Sequence, residues 1–158
     1  MPTAEAVSDY EKERGKPMPS KLHSATQKNL IVALARYEPK YTIFSELTLG
    51  LEKEVTPDLS VYGSMVVDYT QEEKRMTEAP LTTVEIVSPS QSTQDVVDKV
   101  RDMLAVGVKS GWLVQPAVQT VTVYGEDMEP KTFSEGIIRD AVLDDVEVRV
   151  EEVFGKAH

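Results

Sequence analysis

Cysteine is absent from this chain of 158 residues, which excludes disulfides, thiolate nucleophiles and zinc ribbons or fingers, and accords with a reducing compartment. Long apolar runs are missing too, since none approaches the roughly 18 residues that a membrane span needs. The start, Met1-Pro2-Thr3-Ala4-Glu5, lacks the charged stretch followed by an apolar one that a secretory leader carries. A soluble, unexported, cytoplasmic protein with no membrane partner is the expectation. Positive charge is scarce: 17 Lys and Arg stand against 27 Asp and Glu, a net of −10, whereas proteins that grip duplex nucleic acid usually present a positive excess. The deficit is uneven. Lys12, Arg14, Lys16, Lys21 and Lys28 face only Glu13 between residues 12 and 28, while from Glu126 onward acids outnumber bases. A positive amino-terminal arm can still receive phosphate, so weak or single-strand binding is expected over tight duplex binding. Repeats and low-complexity tracts are lacking as well, and 41% hydrophobic content at this length predicts one domain, residues 1–158, with no separate recognition domain.

What is present begins with two carboxylates in apolar company. Leu81-Thr82-Thr83-Val84-Glu85-Ile86-Val87 is rich in β-formers and stops at Ser88-Pro89-Ser90, which reads as a buried strand closed by a turn, with Glu85 its only charge. Burying a carboxylate alone costs several kcal/mol or neutralises it, so Glu85 calls for a cation or a metal. Asp58 opens a similar run, Asp58-Leu59-Ser60-Val61-Tyr62, behind Pro57, which is tolerated at a strand start because no ladder donor is needed there. Placed side by side, the two strands converge the two acids.

A lysine follows at helical distance. Beyond the hydroxyl caps of Ser90-Gln91-Ser92-Thr93, the residues Val96, Val97, Val100, Met103, Leu104 and Gly107 fall on one helical stripe. Lys99 lies roughly 100° from the stripe's centre, on the side of Asp95, where it can pack its stem and send its ammonium toward the strand end. Gly107 ends the helix and Ser110-Gly111-Trp112-Leu113-Val114 reads as a strand, so strand, helix and strand predict a right-handed parallel β-α-β crossover. Paired acids of this kind repel unless a cation sits between them, and Mg²⁺ or Mn²⁺ takes such oxygen ligands, keeps waters and is completed by substrate phosphate. The metal polarises the phosphoryl oxygens and activates water, and a lysine adds charge where the transition state turns negative. Asp58, Glu85 and Lys99 therefore read as a catalytic set for phosphodiester hydrolysis.

These residues carry a resemblance. Pro57-Asp58, Val84-Glu85-Ile86-Val87-Ser88-Pro89-Ser90, Asp95, Lys99, Gly107-Val108 and Trp112-Leu113-Val114-Gln115-Pro116, together with Glu13 through Ser20 and His23, resemble the bacterial Uma-two family. That family is described as restriction endonucleases of the PD-(D/E)XK nuclease superfamily. The resemblance implies an α/β (α+β) restriction-endonuclease-like core, a mixed central β-sheet flanked by helices, with a divalent metal held by Asp58 and Glu85. A standard D/E-X-K motif would place lysine at position 87, where this chain has Val87. In relatives of that kind a lysine on the following helix takes its place, which makes Lys99 the replacement. Cutting both strands of DNA implies a homodimer.

Plainer readings stand beside these. Asp95 and Lys99, spaced i and i+4, also make an ordinary surface pair. Glu85 can be held by Lys99 in a structural ion pair, and Asp58 can be a turn acid bonded to its own backbone. His23 opens a helix running to about Tyr37, where a capping or surface role competes with an accessory one; Glu13 and Glu46 are the other accessory candidates, Glu13 as a third carboxylate. Residues 2–14 read as a short helix, 41–51 and 58–62 as strands, and 71–75 as a polar connection ordered on binding. Residues 120–124 with 131–133 form a hairpin, and 146–150 a strand that 151–154 can follow as a helix. Three functions result: a metal-dependent DNA endonuclease, a catalytically degenerate module binding nucleic acid or a partner protein, and an assembly protein pairing through Trp112-Leu113-Val114 and the hairpin.

Overall fold

The computed structural model describes residues 19–155; the helix read over 2–14, and with it Glu13, lies outside them. Helix α1, Lys21–Ala35, starts where the Ser20 hydroxyl accepts the His23 backbone N–H at 3.2 Å, which satisfies one of the donors that a helix start leaves open. Eleven strands follow, six of them in one sheet. These are β1 (Tyr41–Ser45), β4 (Leu59–Gly63), β6 (Thr82–Ile86), β7 (Ser110–Gln115), β8 (Thr120–Gly125) and β9 (Pro130–Phe133), lying side by side in that order. Only β6 and β7 run parallel, so the sheet is mixed. Between them passes α2, Thr93–Ala105, capped by Ser92 and ended by Gly107, whose φ of 117° suits glycine alone.

Strand alternation divides the core between two faces. Val84, Ile86, Trp112 and Val114 point to the side covered by α1, by the hairpin of β10 (Ile137–Arg139) with β11 (Glu147–Arg149), and by α3 (Val150–Phe154). The intervening positions face α2, whose Val100, Met103, Leu104 and the following Val108 form a second cluster. Gly111 lets the helix approach: a Cβ built there would stand 2.6 Å from Val100 Cγ1. Lys99, next to Val100, is held over the sheet by the same contact.

The strand expected over 41–51 is two strands. At Glu46 the backbone turns left-handed, φ 50°, and its N–H donates to the Asp58 carbonyl at 3.0 Å, so the chain leaves the large sheet. It continues as β2 (Thr48–Gly50) in a small sheet with β3 (Glu54–Val55) and β5 (Arg75–Met76). Strand β5 pairs parallel to β2, so the end of the polar connection at 71–75 belongs to a sheet and needs no partner to order it. Both readings of the carboxyl-terminal stretch hold in succession, as β11 and then α3. Trp112-Leu113-Val114 cannot pair with a second copy, because β7 is hydrogen-bonded on both edges and these residues are buried. Among the described residues no helix is long and apolar enough to cross a membrane.

Two predictions follow from this packing. Gly111→Ala should cost about 1–3 kcal/mol in urea unfolding, because the added methyl drives into Val100, and Val100→Ala in the same chain should recover part of the loss. Unchanged midpoints in the single variant would contradict the close approach. Tyr62 on β4 donates its hydroxyl to the Glu78 carbonyl at 2.8 Å, and burial pushes it up to about 12. Since the folded value lies above that of the unfolded chain, this contribution is intact below about pH 10 and is lost as pH rises toward 12. Tyr62→Phe should flatten stability over that window in alkaline denaturation scans.

Candidate active site

The register of β4 against β6 runs Leu59↔Val84, Ser60↔Thr83, Val61↔Thr82. Continued by one residue, it sets Asp58 opposite Glu85, and directly opposed residues share a face. Asp58 stands where β4 has not yet begun, and its side chain does what a strand backbone would do there. Its Oδ2 accepts the Ile86 N–H at 2.7 Å, while Oδ1 lies 3.1 Å from His23 Nε2. The Asp58 carbonyl accepts Gln27 Nε2 at 3.2 Å in addition to the Glu46 N–H. Asp58 is thus bonded to the neighbouring strand and to α1, unlike an acid that caps only its own turn.

Glu85 is 2% exposed, on the face away from Val84 and Ile86, and its Oε1 pairs with Lys99 Nζ at 3.1 Å. A lysine at position 87 would share this face, two residues along; Lys99 reaches the same carboxylate from the helix laid over it. The structure thus sets Asp58 and Glu85 at neighbouring strand ends, pairs Glu85 with Lys99, and pairs Asp58 with His23, which is fully buried where a surface or capping role had competed. Two of the plainer readings are settled in part: Lys99 makes the ion pair with Glu85, and among the described residues it makes none with Asp95.

The remaining candidates sit further out. Asp95 is exposed one turn before Lys99, and both line a cleft of about 450 Å³ that also holds Glu52, Glu54, Asp98 and Asp102. Glu46 touches the site through its backbone, with its side chain exposed. Among the described residues no three His, Asp or Glu side chains gather closely enough to form a metal cage.

Asp140 was not legible as a buried acid. At the opposite end of β6 and β7, its Oδ1 accepts Thr82 Oγ1 (3.0 Å), Ser110 Oγ (2.9 Å) and Trp112 Nε1 (2.8 Å), and its Oδ2 accepts the N–H groups of Val142 and Leu143. Five neutral donors hold this carboxylate and pin the chain after β10 to the sheet. A turn acid bonding the N–H two residues on is a sequence signal. Its three cross-chain donors are not.

A mixed sheet flanked by helices, with two acids at neighbouring strand ends and a lysine over them, defines a nuclease-fold protein. The sequence profile of the Uma2 family, described as "Putative restriction endonuclease", matches residues 11–151, and the chain belongs to that family. It is similar to a solved structure from Anabaena variabilis described as "a putative nuclease belonging to DUF820", with 26% identity, a TM-score of 0.73, and coverage of 87% of this chain and 83% of that one. No curated protein matches the chain.

Removing the ammonium leaves a buried carboxylate one cation short, so Lys99→Met should destabilise the fold by about 1–3 kcal/mol, below the cost of a fully buried pair because Lys99 is partly exposed. Glu85→Gln in the same chain should restore stability, with a coupling of about 0.5 kcal/mol or more in a double-mutant cycle followed by chemical denaturation. Strict additivity would mean that the pair contributes nothing.

Proposed function

We propose that this nuclease-fold protein is a divalent-metal-dependent endonuclease of the cytoplasm that hydrolyses phosphodiester bonds of DNA. The observation that supports this is the opposition of Asp58 and Glu85 across neighbouring strands, both buried, with Lys99 at the Glu85 carboxylate. Carboxylate oxygens suit Mg²⁺ or Mn²⁺, and a set of two fits ions that keep waters and take substrate phosphate as further ligands. Asp58 and Glu85 would hold the ion, which supplies a polarised phosphoryl oxygen and an acidified water when bound.

The chain's own residues do the rest. The Ile86 N–H and His23 fix the Asp58 carboxylate in orientation, so no reorganisation is required when substrate arrives. Lys99 has a short reach from Glu85 to a phosphate and can exchange one anion for the other as negative charge builds up. The net charge of −10 favours weak or single-strand binding, and cutting both strands of a duplex would require two copies as a homodimer.

A second reading, a catalytically degenerate module that binds nucleic acid or a partner protein, is favoured by Val87 and by the pairing of Lys99 with Glu85. Incubating the full chain with Mg²⁺ or Mn²⁺ and single-stranded DNA, duplex DNA or RNA separates the two. Metal-dependent cleavage of DNA is expected, reduced by about 100-fold or more in Asp58→Ala and in Lys99→Ala. Cleavage that survives Asp58→Ala would be a contaminant's, and an inert wild type would leave the binding module.

A further inference from the structure

Beside the two acids, on the side of His23, lies a small cavity of about 170 Å³ between the start of α1 and the loops that follow β6 and β7. His23, whose ring contacts Asp58, is part of its wall, so the cavity and the acid are one side chain apart. Six of the eleven residues that line it are polar and none carries a carboxylate. The cleft on the other side, over α2, holds five acids and two lysines. An anion is repelled there and is not repelled here.

The groups fixed around the cavity are donors. Leu22 in α1 and Thr93 in α2 are first-turn residues on its wall, and their N–H groups have no acceptor within their own helices. The positive ends of two helices, of 15 and 13 residues, therefore meet at one space. Gln91 Oε1 accepts the Ser88 N–H at 2.9 Å, which leaves Gln91 Nε2 to donate. Ser88 is a separate observation: it is 5% exposed, lies on the cavity wall, and its hydroxyl has no hydrogen-bond partner among the described residues. A hydroxyl buried in this way is costly until a partner meets it. Donors from several directions with no carboxylate among them suit a compact anion that only accepts, and a phosphate group is such an anion. The cavity falls below the roughly 300–1,000 Å³ of sites for drug-sized ligands, so it has room for that group and not for a whole nucleotide.

We propose that this cavity is a phosphate subsite, which takes one phosphate group of a polynucleotide beside the phosphodiester that meets Asp58 and Glu85. Lys21, exposed between Ser20 and Leu22, adds a positive charge next to it. A phosphate seated here sets the register of the strand against the acids without reading its bases. The polynucleotide as the source of the phosphate rests on the nuclease reading, whereas the donor set stands without it.

The affinity of the full chain for a short fluorescent single-stranded DNA is measured across a salt series in EDTA, where no cleavage occurs, and inorganic phosphate is followed separately by ³¹P line broadening. Gln91→Glu keeps the oxygen that accepts the Ser88 N–H and exchanges the donor for a charge, so the local fold is retained. Strand affinity should fall about tenfold, and the slope of log affinity against log salt should flatten by about 0.7, the share of one single-strand phosphate. Ser88→Ala, which leaves the net charge unaltered, should weaken binding about threefold. Gln71→Glu, the same charge change on an exposed residue outside the cavity, should leave the slope as it is. With the slope flattened in Gln91→Glu, broadening by inorganic phosphate that the same variant abolishes shows a subsite open to free phosphate as well, and no broadening restricts it to the strand backbone. An unchanged slope in Gln91→Glu, equal effects of Gln91→Glu and Gln71→Glu, or no strand binding by the wild type each overturns the subsite. Parallel assays with Mn²⁺ read the nuclease independently: cutting with strand binding indifferent to Gln91→Glu keeps the nuclease and removes the subsite, and Gln91-dependent binding without cutting does the reverse.

Discussion

The Asp58 carboxylate is the contact on which the site and its scaffold both depend. One oxygen closes the β4–β6 ladder through the Ile86 N–H and the other faces His23, so a single side chain ties α1, β4 and β6 at one point. The arrangement is stable because the donors that meet Asp58 among the described residues are fixed by their own elements: a strand amide, a ring and the Gln27 amide on a capped helix, and the Glu46 amide at a left-handed turn. A buried carboxylate without such donors would be expelled or neutralised. Orientation of the acid and integrity of the ladder are therefore the same property, which places the candidate ligand on regular structure.

Glu85 reaches the same place by different physics. Alternation along β6 forces it to the face opposite Val84 and Ile86, beneath α2, where its charge needs a cation. Lys99 meets that need because Gly111 allows α2 to settle against the sheet at Val100, one residue along. A helix lysine reaches this strand carboxylate because the helix lies so close. Charge is arranged around the pair unevenly, acidic over α2 and neutral beside His23, so the overall excess of acid does not describe every approach to the site.

Much of this was readable in residue order. The crossover from β6 through α2 to β7 followed from a β-rich run, a capped stripe and a glycine stop, and the nuclease-type fold from the resemblance that the residues around Asp58, Glu85 and Lys99 carry. The break at Glu46 was not readable, because nothing in Tyr41-Thr42-Ile43-Phe44-Ser45-Glu46-Leu47-Thr48-Leu49 marks a left-handed residue; the turn is imposed by the Asp58 carbonyl on another strand. His23 looked like a helix-start residue and Asp140 did not stand out at all, since the groups that bury them lie 35, 58, 30 and 28 positions away in the chain.

The sequence by itself determined the β6–α2–β7 crossover, the stripe that turns α2 inward, and that Asp58 and Glu85 lie among apolar neighbours. These depend on periodicity and turn chemistry, which act over a few residues. Only the tertiary structure decided that Asp58 stands opposite Glu85, that Lys99 pairs with Glu85 and not Asp95, and that His23 closes the site with one nitrogen turned from Asp58. Those outcomes rest on strand register and helix docking, which are set by the packing of the whole core.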